Sequence, residues 1–136
     1  MPSRALYTDF VKAPPFSSDD PLEMYLHEVR TIPPLTKEDE SQLLEHVLAK
    51  DDQAEAAART LVEANLSLVV SAAEQHPSAK LSKLDLIQEG NAGLMTAIDT
   101  FVFGTAEAFA AHAQTCIDQA ISSAIGKSQT IRDETP

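Results

Sequence analysis

The sequence has one cysteine and few basic residues, and each shortage excludes a class of protein. Cys116 alone cannot form an internal disulfide, and no N-terminal run is apolar enough for a signal peptide or a membrane span. We therefore expect a cytoplasmic protein with no membrane partner. The net charge of −11, from 10 Lys and Arg against 21 Asp and Glu, argues against a surface built to bind phosphate, because each phosphate contact uses a basic side chain.

Residues that could perform catalysis or bind a metal are sparse and poorly spaced. No two of the four histidines, at positions 27, 46, 76 and 112, lie one helical turn apart, and there is no glycine-rich phosphate loop. Cys116 lies one turn after His112, which permits a thiol and a base to approach each other. A packed thiol beside a surface histidine explains the same spacing, and we favour it. We expect no enzyme activity, no metal site and no cofactor.

Helix signals begin only after a proline-rich opening segment. Residues 1–19 show no periodicity and are predicted to be a flexible tail. Further along the chain, helix-capping residues recur ahead of stretches with apolar residues at helical spacing. The predicted helices begin at Asp20, Thr36, about residue 52, Ser82 and Thr105. The third is predicted to run to residue 76, and the last has an apolar residue at every fourth position from Phe109 to Ile125. No segment alternates with a period of two, so the chain is predicted to be an all-α bundle of about five helices.

The helix predicted from Ser82 to about Phe101 has two distinct faces. At 100° per residue, its large apolar residues and two glycines, Gly90 and Gly93, share one arc that we expect to be buried. Two glycines there suit the close approach of another helix. The opposite arc is polar with one exposed thioether. It could receive a partner helix, but the spacing alone favours an ordinary solvated face. Its members are Asp85, Gln88, Glu89, Ala92, Met95, Thr96 and Asp99, with Asn91 at its edge.

This helix carries a specific resemblance to a known family. Residues 85–95 are DLIQEGNAGLM, which resembles the most characteristic segment of the bacterial sigma-70 transcription initiation factors. Four further segments are similar to the family: DPLEMYL at 20–26, PLT at 34–36, EANLxLVVS at 63–71 and IxQAI at 117–121, where x is a position outside the match. With the match of TIR at 130–132, the resemblance covers residues 20–132. It implies the end of region 1 and all of region 2, which form a helical domain, with residues 133–136 as a tail.

The resemblance implies a polymerase-binding surface on the predicted fourth helix. In the family, this helix docks on a coiled coil of the β′ subunit of core RNA polymerase. The positions carried over are Asp85, Gln88, Glu89, Asn91 and Met95. All of them lie on or beside the arc that the spacing already places at the surface.

The following helix departs from the family, which melts the −10 promoter element there with basic and aromatic side chains. The family's basic positions fall on Gly104, Thr105, Ala108 and Asp118 of this chain, and its aromatic positions fall on Glu107, His112, Thr115 and Cys116. Between Asp99 and Lys127 there are three acids and one base. Phe101, Phe103 and Phe109 are retained, but the last two are expected to serve the core. We therefore expect no DNA-binding residues and regard promoter DNA as a doubtful partner.

Three functions remain open after these observations. The first is a binding module that occupies the sigma site on core polymerase, or assists a split sigma partner, and so regulates initiation. The second is a minimal sigma factor that binds the −10 element through other contacts. The third is an acidic decoy for an anti-sigma protein. The sequence ends at Pro136, and we expect none of the family's later domains, which recognise the −35 element.

Overall fold

The computed structural model describes residues 19–78, 80–102 and 105–134, without the side chains of 130–134. Residues 1–18 of the tail predicted over 1–19, as well as Phe103 and Gly104, lie outside the described ranges. Every regular element in the described ranges is a helix, so the all-α prediction is confirmed. The helices are α1 (Pro21–Arg30), α2 (Lys37–Ala49), α3 (Ala54–Ala64), α4 (Leu66–Gln75), α5 (Lys83–Thr100) and α6 (Ala106–Glu134). None of them has a stretch long and apolar enough to cross a membrane.

Side-chain caps begin three of these helices where the sequence predicts them. The Asp20 carboxylate accepts a hydrogen bond from the Leu22 N–H at 3.0 Å, with Pro21 at the first position of α1. The Thr36 hydroxyl accepts from the third residue of α2 at 3.0 Å. Ser82 and Asp85 form a reciprocal capping box at the start of α5. Each cap satisfies backbone N–H groups that have no partner inside the helix.

The long helix predicted over residues 52–76 is divided in two. Asn65 leaves helical geometry at φ −109° and ψ 10°, and its side-chain amide donates to the Leu61 carbonyl at 2.7 Å. An asparagine side chain can replace a helical backbone hydrogen bond in this way, so it favours helix ends over helix interiors. The structure therefore has six helices in its described part, one more than the sequence predicts.

The chain divides into two units. In the first, which contains α1 to α3, the buried apolar residues include Val29, Leu44 and Leu61, and α2 packs against α3. Lys50 ends α2 in the left-handed conformation at φ 54°. Just beyond it, the His46 Nδ1 and an Asp51 carboxylate oxygen lie 2.6 Å apart.

The second unit consists of most of α4 and α6 together with α5. Its core contains the apolar stripe predicted for α6, of which Phe109, Ala113, Ile117 and Ile121 are fully buried. The predicted inner arc of α5 is buried as well, from Leu86 to Phe101. Both α5 glycines face other helices at short range. A methyl group built at Gly93 would lie 2.6 Å from the Cys116 carbonyl oxygen, so α5 and α6 could not approach this closely with any larger residue.

Candidate functional site

Five residues of α5 form the candidate surface, which we call the α5 surface: Asp85, Gln88, Glu89, Asn91 and Met95. Four of them are exposed and Asn91 is half-buried. The predicted division of this helix into an inner and an outer arc is thus confirmed. Their role in binding stays a prediction. The inner arc fixes the orientation of the helix, because its buried side chains leave no other face to solvent.

The exposed thioether is the most unusual member of the α5 surface. Met95 is 57% exposed, and only one other large apolar residue, Val102, is as open to solvent in the described part of the chain. A flexible, polarizable methionine side chain adapts to the shape of a partner and is common at binding surfaces. The exposure of Met95 is consistent with the predicted binding surface.

Two carboxylates of the α5 surface differ in their freedom to bind a partner. Asp85 accepts a hydrogen bond from the Ser82 N–H at 3.0 Å as part of the capping box. Glu89, one turn later, forms no ion pair with any described residue. Like charges one helical turn apart repel weakly, and a basic partner side chain would relieve that repulsion. Glu89 is thus the better candidate for a charged contact, and Asp85 has a structural task.

The positions that correspond to the family's DNA-melting residues lie on or near α6 and present no positive charge. Thr105, Glu107, Ala108 and Thr115 are exposed, and Gly104 lies outside the described residues. His112, Cys116 and Asp118 are half-buried. The retained aromatics Phe101 and Phe109 are buried and pack edge to face with their ring centroids 5.3 Å apart. The prediction that Phe109 serves the core is confirmed.

His112 and Cys116 approach each other as their spacing permits, but a third residue also contacts the imidazole. The His112 Nε2 lies 3.8 Å from the Cys116 sulfur and 2.8 Å from the Thr100 Oγ1. The Thr100 hydroxyl has one proton and donates it to the Thr96 carbonyl at 2.7 Å. The contact between Thr100 and the imidazole is therefore a hydrogen bond when Nε2 carries the proton and donates it to the Thr100 oxygen. In that tautomer Nε2 cannot accept the proton of the thiol. His112 therefore joins α6 to Thr100 of α5 and does not activate Cys116.

Asp118, at a basic position of the family, is held by two neighbouring side chains. One carboxylate oxygen lies 3.2 Å from the His76 Nε2, just after the end of α4. The Gln114 amide, one turn earlier on α6, donates to both carboxylate oxygens at 3.1 Å. Asp118 therefore joins the end of α4 to α6. No group of three or more His, Cys, Asp or Glu residues in the described ranges could hold a metal ion.

The described residues thus form an all-helical domain, and comparison with known families identifies which one it is. The model of sigma-70 region 2 matches residues 61–130, and that of sigma-70 factor region 1.2 matches residues 20–43. The chain belongs to the sigma-70 family, as the resemblance of residues 85–95 predicts.

Similar proteins include three RNA polymerase sigma factors named SigA. The factor from Lactococcus lactis subsp. lactis (strain IL1403) is 44% identical over 115 residues, which are 84% of this chain and 30% of that protein. The factor from a Bacillus species is 39% identical over 128 residues, 93% of this chain and 33% of its own length. The Listeria monocytogenes factor is 40% identical over 126 residues, with shares of 92% and 33%. The chain thus spans about a third of the length of the curated relatives it matches.

Proposed function

We propose that this protein is a sigma-type initiation protein that binds core RNA polymerase through the α5 surface and does not melt promoter DNA. It acts as a regulator, or as one part of a sigma factor, by occupying the site where a sigma factor docks. Residues 20–132 form the domain responsible. The polymerase element contacted is the coiled coil of the β′ subunit.

The observation that carries this proposal is the exposure of the α5 surface. Its residues carry the strongest resemblance to the family. Neither Glu89 nor Met95 is part of the core of the second unit, and neither forms an ion pair with a described residue. An exposed, flexible methionine beside an unpaired carboxylate offers a partner both an apolar and a charged contact. Membership of the sigma-70 family makes core polymerase the expected partner.

The absence of DNA melting is supported by the side chains of α6. Base stacking needs exposed aromatic rings, and phosphate binding needs Lys or Arg. Phe101 and Phe109 are buried, and Asp118 is paired with His76. Lys127 is the one basic residue of α6 whose side chain is described. A protein of this kind would influence initiation through its binding site on polymerase and not through promoter recognition.

A binding measurement with core polymerase tests the proposal. The full chain, labelled at its N-terminus, is titrated with purified core polymerase, and the variants Glu89→Lys and Met95→Ala are compared with it. Residues at the centre of an interface contribute about 1 to 3 kcal/mol each, so we expect both variants to bind at least fivefold more weakly. An unlabelled full-length sigma factor should displace the parent chain in proportion to its concentration.

Matched control variants separate local contacts from general effects. Glu45→Lys makes the same charge change at an exposed position of α2, and Val102→Ala removes another exposed apolar side chain. Both should bind core polymerase like the parent. Equal affinity of Glu89→Lys, Met95→Ala and the parent would show that the α5 surface is not the binding site.

A further inference from the structure

An open groove of about 430 Å³ lies between α5 and the second half of α6, within the second unit. Its apolar surface comes from Leu81, just before α5, and from Ala120 and Ala124 on α6. Glu89 and Lys127 bring charged side chains to it, one from each helix, and two serines complete the lining. The groove exists because the α6 residues along it are small.

Glu89 and Lys127 are both exposed and have opposite charges, yet they do not pair with each other or with any other described residue. The groove therefore presents a negative charge on α5 and a positive charge on α6. It is complementary to a segment that places a basic side chain opposite Glu89 and an acidic side chain opposite Lys127. Phosphate is a poor occupant, because Glu89 would repel it and a single lysine gives little compensation. A protein segment with an acidic and a basic side chain fits both charges.

Glu89 belongs to this groove and to the α5 surface, so the two features are continuous. We infer that the groove is the second half of the polymerase-binding surface: the segment of core polymerase that binds α5 inserts an apolar side chain over Ala120 and Ala124, pairs a base with Glu89 and pairs an acid with Lys127. This inference rests on the proposed function and extends it to α6. It assigns Lys127 and Ala124 a role in binding.

A charge swap tests the two ion pairs. Exposed pairs contribute about 0.2 to 1 kcal/mol, and reversal adds repulsion, so Glu89→Lys and Lys127→Glu should each weaken binding to core polymerase about fivefold to tenfold. The double variant has the net charge of the parent. If each residue contacts its own partner residue, the double variant loses both contributions and binds about 25- to 100-fold more weakly. If the polymerase senses only net charge, the double variant binds like the parent and the inference is wrong.

Filling the groove tests its apolar part. Ala124→Phe places a large ring where the partner side chain would insert, and we expect binding to weaken more than tenfold. Ala110→Phe is the matched control, because Ala110 is exposed on the same helix outside the groove. Circular dichroism and urea unfolding of each variant identify any loss of folding. If Ala124→Phe unfolds the chain, only the charge-swap variants test the inference.

The outcomes distinguish this inference from the proposed function. If Met95→Ala binds more weakly but Lys127→Glu and Ala124→Phe bind like the parent, the α5 surface remains the proposed binding site. The groove then has no role in binding, and the inference is wrong. No binding of core polymerase by the parent chain would overturn both. The inference is supported if Lys127→Glu and Ala124→Phe bind core polymerase more weakly and the double variant binds more weakly than either charge reversal alone.

Discussion

The three described glycines of the last two helices differ in what a methyl group would meet. At Gly93 it would lie 2.6 Å from a backbone carbonyl oxygen and 2.8 Å from the Ala120 Cβ, and neither atom can turn away. At Gly90 the short contacts are to the ends of buried side chains, the nearest at 2.7 Å from Val69. At Gly126 it would meet nothing within 4 Å. The same substitution therefore has a different effect at each position.

Replacing these glycines by alanine should change stability in opposite directions. Gly93→Ala forces α5 away from α6, and overpacking of this kind costs about 1 to 3 kcal/mol. Gly126→Ala should raise the free energy of unfolding by up to about 1 kcal/mol, because alanine favours the helix and has open space. Urea unfolding measures both, and Gly126→Ala is the matched control. A Gly93→Ala variant as stable as the parent would contradict the close contact of the two helices.

Asp51 provides a test of pH dependence within the first unit. The hydrogen bond from His46 lowers the pKa of the Asp51 carboxyl, with a smaller contribution from the backbone N–H of Gln53 and some opposition from burial. A lowered pKa in the folded state stabilises the protein above the unfolded pKa of about 3.9, and this contribution disappears as the pH falls through the folded value. The contribution is small, because the group is exposed to solvent.

The variant Asp51→Asn isolates this charge, since an asparagine oxygen can still accept from Gln53. The parent should have the higher urea midpoint at pH 7. The difference should shrink as the pH falls below about 4 and be absent once the carboxylate is protonated. A difference that stays constant down to pH 2 would mean that the charge of Asp51 does not stabilise the end of α2.

At the level of helices, the capping box of α5 connects folding to the candidate surface. Ser82→Ala removes the acceptor for the Asp85 N–H, and loss of such a cap costs about 1 kcal/mol. Ser82→Asp retains an acceptor and should keep most of the stability. Urea unfolding compares them. Binding to core polymerase should be nearly unchanged in both, because Ser82 lies outside the α5 surface. Equal stability of Ser82→Ala and the parent would show that the box contributes nothing.

The helices show which features the sequence could predict. The inner arc of α5 was predictable because eighteen helical residues have a clear periodicity, and the caps were predictable because they depend on local sequence. The break at Asn65 was missed, because apolar residues on both sides suggested continuous helix. Asparagine within such a run was the available sign. The groove could not be predicted, because it depends on the packing of α6 against α5.

At the level of the whole molecule, net charge limits the affinity of the chain for nucleic acid. With a charge of −11 and one described base on α6, the chain should bind a single-stranded −10 oligonucleotide no more tightly than the roughly 1 to 100 μM typical of non-specific binding. The dependence on salt should be shallow, because few counterions are released. Fluorescence anisotropy at two salt concentrations measures both. Submicromolar binding that weakens steeply with salt would favour a minimal sigma factor.

The contact between His76 and Asp118 also limits how this chain could change over evolution. An arginine at position 118 would restore one basic position of the family, but it would lose the hydrogen bonds from His76 and Gln114 and place two potential cations together. A single substitution towards DNA binding would thus first weaken the attachment of α6 to the end of α4. The cost is modest, because both side chains are partly exposed. A compensating change at His76 would remove the repulsion, so a basic residue at position 118 is most easily accommodated when position 76 changes as well.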